Sequence, residues 1–285
     1  MKIQSLPLVL KCLILFACIK DQEAGKLSPL AKDPAPSFAN TQPEAGPVSR
    51  NRVNQKDFNL DDAELVIRDF PDGSTKEMYL VDGDITIAKD LYEKLIKEQG
   101  SHKRQAVHDY WVKGIKTITV YCSTSNWNLS TAVNFALDNY NKISGVGIKF
   151  VRVPYPYLAM IHIYKSTYAH YFGGDSGYPN PTYANLISGK IYPYKWIRIG
   201  YGVPSLTLNQ IEHIVAHEIG HCIGLWHTDW TTGLSCGSYQ PDPSPNWQIW
   251  GTPHIDAKSI MNKCLDWGTN GEFTYYDALA MKILF

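Results

Sequence analysis

The sequence has no surplus of charge, no long apolar run and no internal repeat. Its 285 residues carry 27 basic and 27 acidic side chains, a formal net charge of zero. A nucleic-acid surface or a strongly anionic membrane partner would need a basic excess, and there is none. The apolar stretch in MKIQSLPLVLKCLILFACIKDQE is too short and too interrupted to span a bilayer. No segment repeats along the chain, so no solenoid or propeller is indicated. What is left is a chain long enough for one or two domains and a sizeable core. Its 18 tyrosines and 8 tryptophans suit a polar cleft that grips an extended peptide, and equally suit an ordinary wet surface.

The N-terminal stretch carries Lys2 and Lys11 and ends at Leu15-Phe16-Ala17-Cys18. It resembles a bacterial lipoprotein signal over residues 1–18, with Cys18 as the lipid-carrying residue, although Phe16 departs from the usual pattern. The run Ile19-Lys20-Asp21-Gln22-Glu23 resembles the export tag of surface lipoproteins. The expected location is the outer membrane or cell surface, with plain secretion as the alternative. Any membrane contact would be through that lipid alone. Setting aside Cys12 and Cys18 leaves Cys122, Cys222, Cys236 and Cys264. An even number in an exported domain predicts two disulfides. Three pairings are open, and a Cys236–Cys264 bridge would brace the segment around Met261.

The densest chemistry lies in HEIGHCIGLWHTD, residues 217–229. Thr207 and Gln210 form a T-x-x-Q capping box, which predicts a helix start. Leu208, Ile211, Val215, Ile219 and Cys222 then recur at helical spacing as one apolar stripe. His217 and His221 fall on the other side, one turn apart, where one ion can take both imidazoles. Gly224 predicts a left-handed helix end that swings His227 round to the same ion. Three neutral nitrogens with an open fourth position describe a catalytic zinc site rather than a closed structural one. Glu218, beside the first ligand, is placed to take a proton from a zinc-bound water. Gly220 suits close helix packing. The competing reading is a buried amphipathic helix with hydrogen-bonded core histidines, and it fits His213, one turn earlier, better than it fits the triad.

HEIGHCIGLWH matches the long zinc signature HExxHxxGxxH and so resembles the metzincin peptidases. HEIGH, then HTD, then GTPHIDAKSIMN resembles more narrowly the dual-action HEIGH metallopeptidase family, over most of the second half of the chain. That resemblance implies zinc ligands His217, His221 and His227, a catalytic Glu218, and Met261 of Ser259-Ile260-Met261 in a methionine turn. Some metzincins place a transition-state tyrosine two residues after that methionine. Lys263 stands there instead, and Tyr275 and Tyr276 are the nearby tyrosines.

Upstream, residues 19–57 read as a Pro-rich tether. Residues 58–104 read as a small propeptide: strands in ELVIRDF and KEMYLV about the turn Pro71-Asp72-Gly73, then a helix in AKDLYEKLIKEQG. Val81-Asp82-Gly83-Asp84 between them resembles the F-x-G-D element of astacin-type propeptides, where the aspartate covers the zinc. Asp84 is thus a candidate latency ligand, against a plain D-G hairpin turn. The basic pair Lys103-Arg104 marks a candidate maturation cut. Residues 105–285 form the expected catalytic domain, with strands at 116–122, 148–153, 160–165 and 196–200, a helix over 129–143 stopped by Gly145, and a C-terminal helix capped at Thr274. The long 171–194 loop is expected to carry a short edge strand able to bind extended substrate. Its GGDSGYPN stretch (173–180) is a weak candidate for a structural calcium or a second zinc.

The fold class expected is α+β with an α/β-like upper part: a metzincin-type twisted mixed sheet, two long helices, an active-site helix, a methionine turn and a C-terminal helix. The expected function is a monomeric, exported zinc endopeptidase acting on protein or peptide. The alternatives are a zinc-containing cell-surface binding protein that does not cleave, and a zinc hydrolase of a non-protein amide.

Overall fold

The structure is a computed structural model, and it describes residues 63–81, 83–97, 106–107, 110–165, 172–180, 187–239, 247–253 and 255–285. Cys18, the 1–57 leader and tether, and the Lys103-Arg104 junction lie outside these residues. The protein is a mixed α+β chain. No helix among the described residues is long and apolar enough to cross a membrane.

A small antiparallel sheet comes first: β1 (Glu64–Asp69), β2 (Thr75–Val81) and β3 (Ile85–Ala88), followed by α1 (Lys89–Lys97). Gly73 at φ +80° and Gly83 at φ +86° make the two hairpin turns, a conformation glycine adopts without steric cost. The strand β4 (Ala106–Val107) pairs with β10 (Trp247–Gln248).

The main sheet has five strands in the order β6-β5-β7-β9-β8. β5 (Thr117–Ser123), β6 (Lys149–Arg152), β7 (Ile161–Lys165) and β9 (Trp196–Ile199) are parallel, and β8 (Gly174–Asp175) runs antiparallel on β9 at one edge. Strands buried on one face alternate, as Ile118, Val120 and Cys122 of β5 do toward the core. The helix α2 (Trp127–Lys142) is capped by Asn126, whose side chain accepts from the Leu129 N–H. The helix α3 (Leu208–Ile223) packs against it. The helix α4 (Tyr275–Leu284) closes the chain behind a Thr274 capping box.

The apolar stripe of α3 is in the core, as its periodicity predicts. Yet every residue from Ile211 to Ile223 is buried, so the histidine side is covered as well. That cover comes from other elements, which helical periodicity cannot reveal.

The expectation of two disulfides is corrected. Cys236 and Cys264 are bonded, across a separation of 28 residues. Cys122 and Cys222 are free thiols in the main core, beside Leu129, Ile219 and Ile223. Counting cysteines does not distinguish a bridge from a small buried apolar side chain. Burial pushes the Cys122 thiol up to about 11, so it is protonated and inert at neutral pH.

Candidate metal centre

The helix α3 starts where the sequence puts it. Thr207 Oγ1 accepts from the Gln210 N–H at 3.4 Å, and Gln210 Oε1 accepts from the Thr207 N–H at 3.1 Å. It ends at Gly224, whose φ of +113° is in the left-handed region. A Cβ there would also lie 2.7 Å from Trp111 Cα, so the position excludes side chains twice over. The reversal brings His227 to His217 and His221, with ring centroids 5.3 Å and 5.0 Å apart.

The tautomers follow from the partners. His217 Nδ1 lies 2.8 Å from the Ile260 carbonyl, and His221 Nδ1 lies 2.8 Å from the Leu225 carbonyl. A carbonyl only accepts, so each Nδ1 carries the proton and each Nε2 presents a lone pair. These two Nε2 atoms are 2.9 Å apart. Asp84 Oδ2 lies 3.2 Å from His217 Nε2 and 3.1 Å from His227 Nε2. Asp84, His217, His221 and His227 each offer a ligand atom within 4.8 Å of the others. Acceptors this close repel one another unless a cation sits among them. Asp84 Oδ1 is buried with no hydrogen-bond partner, which a metal would also relieve. The donor set of imidazole nitrogens and a carboxylate fits zinc. Burial and the neighbouring His217 and His227 hold the His221 imidazole well below its usual range, which favours the neutral form that a metal could take.

Tyr178 supports the ligands from the side. Its hydroxyl is 3.0 Å from His221 Nδ1, and its ring stacks on Trp226 at 4.7 Å. Such partners fix ring orientation and ligand basicity.

Below the histidines lies the turn at Ser259-Ile260-Met261. Met261 is 4% exposed and its sulfur sits against Gly220, where any Cβ would overlap it. The sequence predicts close helix packing at Gly220; its nearest neighbour is instead this methionine, with the Tyr140 hydroxyl of α2 farther off. The HTD motif ties this turn to the ligand loop. The Thr228 N–H donates to the Met261 carbonyl at 2.7 Å, and Thr228 Oγ1 bonds Ser259 Oγ at 2.8 Å. Asp229 accepts the Lys263 N–H at 2.9 Å and the Ser235 N–H at 3.0 Å. Asp277 of α4 accepts from the Ile260 N–H and the Ser259 hydroxyl while completing its own capping box. The Cys236–Cys264 bridge joins the same two segments.

Glu218 is 1% exposed and walled by β8 and the residues after it. Ser176 Oγ donates to Glu218 Oε2 at 2.7 Å, and a Cβ on Gly174 would lie 2.5–2.7 Å from the Glu218 carboxylate. Burial and then the negative charge of Asp84 push the Glu218 carboxyl well above its usual range, against the Ser176 hydroxyl, which lowers it. Asp84 is pushed up by burial, but His227, His217 and His221 outweigh this and hold it well below the usual carboxylate range.

Side chains of the GGDSGYPN stretch line the candidate centre. Asp175 is held by Arg198 and faces Arg68 at 3.9 Å, Ser176 and Gly174 meet Glu218, and Tyr178 meets His221. Among the described residues, the Asp84-histidine group is the one cluster of His, Cys, Asp and Glu suited to a metal. His213 is not part of it. Its Nδ1 lies 2.9 Å from Thr269 Oγ1, and burial lowers it to about 3. Tyr275 and Tyr276 are exposed at the start of α4, packed edge to face on each other. Ser176, Tyr178, Thr228, Asp229 and Asp277 carry site contacts that the sequence did not assign to them. Only HTD and the Gly-rich 173–180 run drew attention there.

Residues 79–285 match the sequence model of a family described as the dual-action HEIGH metallo-peptidases. A search of curated proteins finds no match. Two solved structures of myroilysin align with the chain. One has 16% identity and a TM-score of 0.37, covering 62% of this chain and 89% of that one. The other has 18% identity and a TM-score of 0.36, covering 64% and 91%.

Proposed function

The chain belongs to the dual-action HEIGH metallo-peptidase family, and from that premise we propose an exported zinc endopeptidase that cuts protein or peptide with Glu218 as its base and is held latent by its own segment 58–104. The observation that carries this reading is the set of converging lone pairs. His217 and His221 are fixed as Nδ1–H tautomers, with His227 and Asp84 facing them and the Glu218 carboxylate walled in alongside.

His217, His221 and His227 would hold the zinc. When bound, zinc acidifies a water and polarises a peptide carbonyl. Glu218 takes the proton of the attacking water and delivers it to the leaving amine. Met261 and the Ile260 carbonyl set the floor and the ring orientation, and Tyr178 sets the side wall.

Several contacts support latency. Asp84 stands where a water would have to stand, between His217 and His227. The strand β3 that follows it also bridges to the edge of the main sheet at Ser176. The Ser176 N–H donates to the Asp84 carbonyl at 2.9 Å, the Thr86 N–H donates to the Ser176 carbonyl at 2.6 Å, and the bridge between Ile85 and Ser176 is parallel. Val81, Ile85, Ile87, Leu91 and Tyr92 pack with Tyr178, Trp226 and Trp230 in a second core. An extended substrate would need the same edge. Cleavage near Lys103-Arg104 would let residues 58–104 leave and leave residues 105–285 as the catalytic domain. Export rests on the N-terminal sequence, with Cys18 as the lipidated residue. Labelled palmitate that still enters a Cys18→Ala chain would refute that part.

The test uses the full chain with zinc bound. Asp84→Ala is expected to cleave a denatured protein without processing, while the unmodified chain is at least about tenfold slower. Asp84→Ala combined with Glu218→Ala, at equal zinc content, is expected to lose about 100-fold or more. Undiminished cleavage by that double variant would overturn the base assignment. Equal activity of the unmodified chain and Asp84→Ala would overturn the latency.

A further inference from the structure

We propose that Ser176 is the positioning residue for Glu218, and that through Ser176 the edge of the main sheet couples substrate docking to the aim of the base. This rests on the peptidase reading above. Ser176 Oγ donates to Glu218 Oε2 at 2.7 Å and lies 3.1 Å from the Glu218 carbonyl. Ser176 is 1% exposed with the latency segment in place, so there no bulk water competes for that carboxylate. Gly174, two residues earlier and so on the same face of the strand, leaves the space that the other carboxylate atoms fill: a Cβ there would lie 2.5 Å from Glu218 Oε1. The Ser176 hydrogen bond thus holds the carboxylate in the space that Gly174 leaves open. A glutamate has three rotatable bonds, and a base must be held close to its productive geometry.

The backbone of the same residue is the docking point of the edge. Its N–H and C=O are the groups that pair with Asp84 and Thr86 of the latency segment. After that segment departs, an extended peptide on the edge would take up the same two groups. Ordering of that backbone by substrate then also orders the hydroxyl that aims Glu218. Asp175, between the two contact residues, is anchored by Arg198 on β9, which holds the strand against the sheet.

The test adds Ser176→Ala or Ser176→Thr to full-length Asp84→Ala and follows steady-state cleavage of a quenched fluorescent peptide, with bound zinc and melting temperature measured on each. Ser176→Ala is expected to lower kcat by about 10- to 100-fold with KM within about threefold and zinc unchanged. Ser176→Thr, which keeps the hydroxyl, is expected to recover most of the loss. A folded, zinc-loaded Ser176→Ala with kcat within about twofold of its parent overturns the proposal, as does a Thr variant no better than Ala. A crystal structure of zinc-loaded Ser176→Ala decides the matter even if the parent does not cleave. The Glu218 carboxylate is expected to leave its present position or to split between rotamers, and an unchanged single position overturns the positioning role. Failure of the peptidase reading shows separately, as absence of cleavage by the Ser176-containing parent.

Discussion

At the scale of single residues, the site depends on which atoms are forbidden as much as on which are present. Gly220 leaves room for the Met261 sulfur, Gly174 for the Glu218 carboxylate, and Gly224 for the Trp111 and Tyr110 backbone. Gly224 is the most demanding, because backbone cannot move aside as a side chain can. Left-handed φ costs a non-glycine residue about 1–2 kcal/mol and overpacking adds about 1–3. Gly224→Ala is therefore expected to destabilise the chain by about 2–5 kcal/mol and to weaken zinc binding, because His227 follows that turn. Thermal melting with and without chelator checks this, and an unchanged melting temperature would contradict it. Glu212 supplies a pH-dependent term away from the metal. Burial, then the charge of Glu272, pushes its carboxyl up to about 7, against Lys142. Asn139 Nδ2 donates to it at 2.6 Å, and this bond persists in the neutral form. A carboxyl raised on folding stabilises the fold below its ordinary value near 4.5, and that contribution is lost as pH rises through about 7. Glu212→Gln should flatten this slope, gaining roughly 2–4 °C on the parent between pH 5 and pH 8, what about 1 kcal/mol does in a domain of this size. Parallel melting curves over that range would rule the assignment out.

At the scale of elements, the turn at Ser259-Ile260-Met261 is held by other elements rather than by its own sequence. Asp277 caps α4 and at the same time holds the Ser259 hydroxyl and the Ile260 N–H, and Ile260 in turn holds His217. Asp277→Ala removes part of the capping box and leaves two buried donors without a partner, at least about 3 kcal/mol in sum. A second effect is expected at a distance: looser zinc, read as faster loss to a chelator. Destabilisation with an unchanged zinc off-rate would show that the turn does not depend on α4. These links also mark how much the sequence could tell. The helix α3, its capping box and its Gly224 end follow from rules that act within a few residues, and they stand where the spacing put them. The free thiols of Cys122 and Cys222 did not, because pairing depends on where two strands of structure meet. Ser176 and Tyr178 were equally out of reach. They are about 40 residues from Glu218 and His221 in sequence, and only the register of β8 on β9 brings them there.

At the scale of the whole molecule, the small sheet β1-β2-β3 and helix α3 meet at the candidate metal centre: the three histidines come from α3 and the turn after it, and Asp84 from the hairpin turn between β2 and β3. A second core, apart from that of the main sheet, packs Ile85 and Ile87 with Trp226 and Trp230. The mixed α+β class was legible from the alternation of strand and helix patterns, and the convergence of the three histidines because α3 and its turn hold that information locally. The union with Asp84 was only hinted at by one G-D pair, since it depends on how two sheets dock. The account therefore stands on the four-ligand centre. The most direct test is the anomalous scattering map of a zinc-loaded crystal of the full-length, unprocessed chain. One peak is predicted at about 2.0–2.2 Å from the Nε2 atoms of His217, His221 and His227 and from an oxygen of Asp84. Zinc held by the three histidines with Asp84 turned away would contradict the latency claim, and a peak elsewhere would contradict the metal centre itself.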